Sequence, residues 1–506
     1  MALEIAAASA TDGHSRGYDE ALAMFDPMQA EAFLAMDAAG HVNAAEICCD
    51  RHAVDPNRVA LRHRSATGET RDWTFAELQR RSTQFAQVLV KLGVGKGDRV
   101  AGLLPRRPEL LITILATWRI GAVYQPLFTA FGPKAIEHRI NAGATRVVVT
   151  DAANHARLPA SMVATLVTVF PVADMGHDFW TLLEAQEPTL PPAACARDDP
   201  FLLMFTSGTT GLPKSLVVPI RAVAAFVGYL RDAVDLRAGD RFWNLADPGW
   251  AYGLYYAVTG PLALGMTTVF HEGGFSAAST YETILEYRIT NLAGSPTAYR
   301  MLMTEVPEFA RRIKGQLRAV SSAGEPLNPE IIRWFDNHLG ARIHDHYGQT
   351  ELGMVLCNHH ALRHSVHPGS AGYPLPGHRV VVVSPEGEEL GVGQPGTLAL
   401  DRRYSPMRWF AGYQNQGTAA FQGSYYLSGD TVERNDDGSE GPNRRRPTGS
   451  LSARKLRDAH KGDGYCTSEP ETKRRQEPRA CPMPQDVSQS AIHCRPSSPG
   501  QEPILS

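Results

Sequence analysis

The chain has 506 residues, is 43% hydrophobic and carries a formal net charge of −3. That is ample for a large core and two or three domains, and the near-neutral balance argues against nucleic acid as a partner. No run approaches the ~20 apolar residues of a membrane span. Seven cysteines, odd in number and without metal spacing, point to free thiols in a cytoplasmic setting rather than a disulfide framework.

In chain order, residues 1–45 are expected to form a flexible, Ala-rich lead-in and a short cap. Glu4 and Asp12 interrupt any basic-then-apolar secretion pattern. Strand and helix signals then alternate. Thr74 to Glu77 reads as a capping box. Phe75, Leu78, Phe85, Val88, Leu89 and Leu92 follow at helical spacing, with Gly93 at the stop. Val100 to Leu104 predicts a strand, Leu110 to Ile120 a helix, Val123 to Phe128 a strand, Lys134 to Ile140 a helix and Arg146 to Thr150 a strand. This is the rhythm of a parallel sheet with helices on both faces.

Glu187 to Pro192 reads as a linker. Beyond it, apolar Phe201 to Phe205 predicts a buried strand that runs into Thr206-Ser207-Gly208-Thr209-Thr210-Gly211-Leu212-Pro213-Lys214. Glycines let backbone N–H groups approach an anion, hydroxyls donate to its oxygens and a lysine neutralises it, so the loop suits phosphates. A Walker loop needs glycine where Pro213 stands and a helix where Ser215 to Pro219 reads as a strand. A plain Ser/Thr/Gly surface turn is the simpler alternative.

The alternation resumes to about residue 340. Val380 to Val383 and Thr397 to Leu400 predict short strands of a small β subdomain. Gly391, Gly393 and Gly396 match a dinucleotide-binding spacing but precede a strand, so they read as a turn. His344, His346, His359, His360, His364 and His367 match no zinc spacing. From Glu440 to Ser506 there is no Phe or Trp, nine of the 35 prolines occur there, and no hydrophobic period is visible. Such a segment cannot offset its ordering entropy by apolar burial, so a disordered tail is expected.

The phosphate loop resembles that of the adenylate-forming superfamily, the AMP-dependent acyl-CoA synthetases. Ala323-Gly324-Glu325-Pro326 resembles its adenine-pocket segment, His346-Tyr347-Gly348-Gln349-Thr350-Glu351 its aromatic–Thr–Glu motif, and Tyr426-Leu427-Ser428-Gly429-Asp430 its ribose-binding motif. The resemblance covers about residues 45 to 438. It implies an α/β fold: a large domain of parallel sheets flanked by helices, here 46–433, followed at 434–506 by an aberrant disordered tail where the family has a lysine-bearing C-terminal domain. The break after Ser439 is expected to reflect a shift of reading frame, or else a genuine truncation.

The resemblance also implies the chemistry. A carboxylate attacks the α-phosphorus of ATP to give acyl-adenylate and pyrophosphate, and the thiol of coenzyme A then displaces AMP. Thr206, Ser207, Gly208, Thr209, Thr210, Gly211 and Lys214 would hold the phosphates. Gly324, Glu325, Pro326, Tyr347 and Gln349 would line the nucleotide, and Asp430 would hold the ribose. Lys214, Thr350 and Glu351 would carry catalysis, with Glu351 as ligand to Mg²⁺, a hard cation suited to a carboxylate beside phosphates. Core packing is an alternative role for Tyr347, and an ordinary Gly-Asp turn for Asp430. Trp250 and Tyr252, within Trp243 to Gly253, resemble the acyl-pocket wall, and Ser295 to Arg300 a second wall; packing is again the alternative.

At Gly348 acetate-specific relatives carry tryptophan, so its absence is expected to open depth. Each buried methylene is worth about 0.8 kcal/mol. Butyrate to octanoate is the first expectation for the acid, acetate or propionate the second, and a small aromatic acid the third. Without the C-terminal domain, slow adenylation and negligible acyl-CoA formation are expected. Two rivals are a non-catalytic ATP- or acyl-binding remnant and a synthetase serving a carrier protein. A monomer or homodimer fits the family.

Overall fold

Val147, Val148 and Val149 are fully buried, the mark of a parallel strand covered on both faces. They lie in Thr145–Asp151, inside a seven-stranded sheet. Its order is Lys214–Pro219, Pro200–Thr206, Val123–Pro126, Arg99–Leu103, Thr145–Asp151, Thr165–Val169 and His177–Asp178. All pairs are parallel except the first, where Lys214 stands opposite Thr206. The computed structural model describes residues 16–169, 177–206, 213–304, 307–414, 417, 420–436 and, as backbone, 451–453. All of them belong to one unit that ends at Lys455.

The helix expected after Thr74 spans Phe75–Lys91, and the Thr74 hydroxyl accepts the Glu77 N–H at 3.1 Å. Phe75, Leu78, Phe85, Val88 and Leu89 form its buried face. Pro108–Arg119 and Pro133–Ala142 are the next two expected helices, each opened by a proline whose missing N–H costs nothing there.

A second, larger sheet begins with four parallel strands, Phe242–Asn244, Asn291–Gly294, Ala319–Ala323 and Ile343–Gln349. It then turns antiparallel through Gly353–Cys357 and Ser370–Pro374. Val380–Val383, Gly396–Asp401 and Tyr425–Arg434 form its far end, which includes the two short strands expected of the β subdomain. A third sheet joins Thr268–His271 to Val59–Arg64 and Thr70–Thr74.

Two terminal segments add detail. Residues 16–45 carry the helices Tyr18–Ala23 and Pro27–Ala32; Tyr18 is buried and donates to the Pro374 carbonyl at 2.7 Å. The tail expected to be disordered from 434 lies outside the described residues apart from 434–436, where Arg434 still belongs to the strand Tyr425–Arg434, and Leu451–Ala453. That segment pairs as a strand between Ser370–Pro374 and Tyr425–Arg434. Pairing of this kind uses backbone groups alone, so no hydrophobic period announces it.

Candidate functional site

In a parallel sheet, loops at the carboxyl ends of the strands gather into one crevice, where ligands bind. Three such ends adjoin in the second sheet. Asn291–Gly294 ends at Ser295, which caps the helix Pro296–Met303. Ala319–Ala323 ends at Gly324, and Ile343–Gln349 lies beside it with Ala323 opposite His346. Gly324 has φ +95°, a left-handed turn that favours glycine. Thr297 donates to the Glu325 carboxylate at 2.6 Å and so fixes the turn. The expected Gly324-Glu325-Pro326 segment therefore stands next to the aromatic–Thr–Glu motif.

Alternation along Ile343–Gln349 sends His346 and Tyr347 to opposite faces. The Tyr347 hydroxyl donates to Asp430 Oδ2. Gln349 Nε2 donates to the same oxygen at 3.0 Å and to the Ser428 carbonyl at 2.9 Å, and Tyr426 donates to Gln349 Oε1 at 3.1 Å. Tyr347, Gln349 and Asp430 are thus joined across strands. Asp430 is exposed, so a ribose can reach its carboxylate.

Past Gln349 the chain turns back into Gly353–Cys357. Tyr255 donates to the Thr350 carbonyl at 3.1 Å, and the Tyr256 oxygen accepts the Met354 N–H at 2.8 Å. Both tyrosines belong to the π-helical turn Leu254–Thr259, a distortion that recurs at functional sites. Phe226 stacks on Tyr255 at 4.4 Å, and Trp409 meets both rings edge-on. An aromatic bed thereby holds Thr350 in place.

Glu351 is buried. Burial raises its carboxyl above the usual range, against the pull of a Tyr413 hydrogen bond and the Lys214 charge. The Tyr413 hydroxyl donates to Glu351 Oε1 at 2.6 Å, and Lys214 Nζ lies 5.0 Å from the centre of the Tyr413 ring. Thr206 and Tyr426 reach the same hydroxyl. Thr206 and Lys214, the ends of the glycine- and hydroxyl-rich loop, thus both meet Tyr413, which holds Glu351. Ser207, Gly208, Thr209, Thr210 and Gly211 lie outside the described residues. A buried carboxylate beside a lysine- and hydroxyl-bearing hairpin is a chemically fitting donor for Mg²⁺, which would supply charge neutralisation on phosphate oxygens bound there.

The acyl-wall residues separate. Trp250 is 36% exposed and packs on Phe128 and Phe131, with ring centres 5.4 and 5.2 Å away. Tyr252 turns inward, its hydroxyl 3.4 Å from that of Tyr229. Tyr229 in turn lies 2.8 Å from His346 Nδ1, and His346 Nε2 lies 3.2 Å from the Asn358 carbonyl. A carbonyl only accepts, so Nε2 carries the proton and Tyr229 donates to Nδ1. Tyr252 and His346 therefore share one buried network behind the motif.

Gly348 has a local explanation. A Cβ there would stand 2.2 Å from the Gly353 carbonyl oxygen and 2.8 Å from Met354 Cα. The hairpin bulges at this point, and the two backbones approach so closely that a side chain would force one of them to shift. The glycine therefore has a local packing reason in this hairpin, beside any bearing on pocket depth.

Tyr229, Tyr255, Tyr256 and Tyr413 are the site residues that sequence reasoning missed. Their roles depend on partners far along the chain, and Gly412-Tyr413 ahead of a strand is too short to stand out.

A mixed α/β architecture that brings together a hydroxyl–lysine hairpin, a buried carboxylate and, within the strand Tyr425–Arg434, an exposed aspartate suits a nucleotide-binding enzyme. The chain belongs to the AMP-binding enzyme family, whose model matches residues 49–408, in agreement with the adenylate-forming resemblance of its motifs. It is 35% identical over 440 residues to the acetyl-coenzyme A synthetase of Bacillus subtilis (strain 168), covering 84% of this chain and 76% of that one. The acetyl-coenzyme A synthetase of Streptomyces coelicolor is 34% identical over 437 residues, with 79% and 67% covered. A crystal structure of an acyl-CoA synthetase from Brucella canis superposes with a TM-score of 0.82 at 50% identity, covering 88% of this chain and 80% of that one.

Proposed function

We propose that this chain activates a short- to medium-chain fatty acid with ATP, forming an acyl-adenylate that coenzyme A then accepts as a thioester. The AMP-forming acid–thiol ligase class follows from the family. The observation that carries the reading is the meeting of Thr206 and Lys214 with Glu351 through Tyr413. Phosphate contacts and a metal-binding carboxylate must converge for attack at the α-phosphorus, because the protein's work there is positioning and charge stabilisation. Lys214, Thr206 and the loop between them would hold the phosphates, Asp430 the ribose hydroxyls and Tyr347 the adenine face. Glu351 would orient Mg²⁺.

The inward turn of Tyr252 supports an apolar acyl wall, since its hydroxyl points at Tyr229 rather than outward. Acetate or propionate is the second reading. It is favoured by the acetyl-coenzyme A synthetase relatives and by the local reason for Gly348. A cytoplasmic location is in keeping with the free, buried Cys48, Cys49, Cys195 and Cys357. Among the described residues no helix is long and apolar enough to cross a membrane.

Acid-dependent exchange of labelled pyrophosphate into ATP, run with acids from acetate to octanoate, tests the reading. Exchange peaking at butyrate or longer supports it, and a peak at acetate moves the assignment to the second reading. Nucleotide binding without exchange for any acid would leave a non-catalytic binding protein.

A further inference from the structure

Resting on the nucleotide-binding reading above, we propose that Tyr413 is a positioning residue: its hydroxyl presents Glu351 to the divalent cation that accompanies the nucleotide, and its ring holds Lys214 until phosphates arrive.

The geometry is specific. The hydroxyl donates to one carboxylate oxygen of Glu351, Oε1, at 2.6 Å, which fixes the rotation of a group buried at the floor of the site. Such a bond to an ionised acceptor is short and strong. A carboxylate oriented by an outer hydrogen bond makes a better metal ligand than a freely turning one, and loss of the outer partner costs about ten- to a hundredfold in metal affinity. The tyrosine is itself held. Phe410 meets its ring edge-on at 5.1 Å, and Thr206 and Tyr426 reach its hydroxyl. Lys214 Nζ lies 5.0 Å from the ring centre, within cation–π range. That contact is weaker than a charge pair with phosphate, so arriving phosphates can draw the ammonium off the ring. One side chain thus touches both halves of the site, the hairpin that grips phosphate and the carboxylate that grips metal.

The test measures binding rather than turnover. Calorimetry with α,β-methylene-ATP, which cannot be cleaved at the bond broken in adenylation, gives its affinity with and without Mg²⁺. Wild type is expected to bind more tightly with the metal. Tyr413→Phe keeps the ring and loses the hydroxyl, so it should keep the metal-free affinity and lose most of the Mg²⁺ enhancement, about ten- to a hundredfold. Tyr413→Leu should in addition change the metal-free affinity, because Lys214 loses its platform. In a Glu351→Gln background, Tyr413→Phe should have no further effect on the metal response. An unchanged Mg²⁺ enhancement in Tyr413→Phe, with wild type binding normally, overturns the role of Tyr413 and leaves the nucleotide reading standing. Failure of wild type to bind the analogue in either condition overturns both.

Discussion

The two faces of the strand Ile343–Gln349 are built on opposite terms. On one, His346 is buried and its ring nitrogens are both engaged, by Tyr229 and by the Asn358 carbonyl. On the other, Tyr347 and Gln349 are tied to an exposed carboxylate, Asp430. A ligand can replace the second set of bonds and can only be shaped by the first. The open face is accordingly the one whose bonds an arriving ligand can exchange.

Breaking the open side at its deepest point should have the largest effect. Glu351→Gln keeps shape and removes charge. Pyrophosphate exchange is expected to fall on the order of 10²–10³-fold, the scale on which loss of a preorganised electrostatic contact slows catalysis. A fall of less than tenfold would mean that Glu351 does not face the developing charge.

The closed face should declare itself in acid. Burial pulls His344 down to about 4 and His359 to about 3, and holds His346 and His360 well below the ordinary value. Their unfolded value is about 6.5. Between there and about 4 the unfolded chain binds more protons, so stability present above pH ~6.5 is lost as pH falls through that window. Asp345 on the same strand has the opposite sign. Burial raises its carboxyl to about 8, so its contribution is lost as pH rises toward that value. Urea midpoints across this range should fall steeply on the acid side, and Asp345→Asn should raise them on the alkaline side. A flat acid limb would show that the histidines are not desolvated.

Gly348 lies at the bulge between Tyr347 and Gln349. Gly348→Ala places a methyl group against the Gly353 carbonyl, and a forced backbone shift of this kind costs about 1–3 kcal/mol. Chemical denaturation measures it. Stability equal to wild type would show that the hairpin yields freely, and the local packing reason for the glycine would fall.

The sheet scaffold was legible because each of its parts is local. Val147 to Val149 announce a strand covered on both sides, and Thr74 with its spaced apolar residues announces a helix. The nucleotide motifs were legible as short strings, and Gly324, Tyr347 and Gln349 stand together at adjoining strand ends. What the string could not convey is which tyrosine serves which carboxylate. Tyr413 and Glu351 are 62 residues apart in the chain, and Tyr229 and His346 are separated by 117. Such pairs exist only once the sheets have closed. The crowding at Gly348 was hidden for a related reason: a backbone approach leaves no side-chain signature.

The smallest expected effect isolates the open face from the fold. Asp430→Asn keeps an acceptor for Tyr347 and Gln349 but removes the charge that would hold two ribose hydroxyls. AMP affinity should fall about tenfold, close to the worth of one hydrogen bond to a charged group. Because Asp430 is exposed, the unfolding midpoint should stay within about 0.5 kcal/mol of wild type. Tyr229→Phe is the mirror experiment. It leaves His346 Nδ1 without its donor, so stability should drop by about 1–3 kcal/mol while AMP affinity holds. If both substitutions moved stability and affinity together, the two faces would be one coupled network.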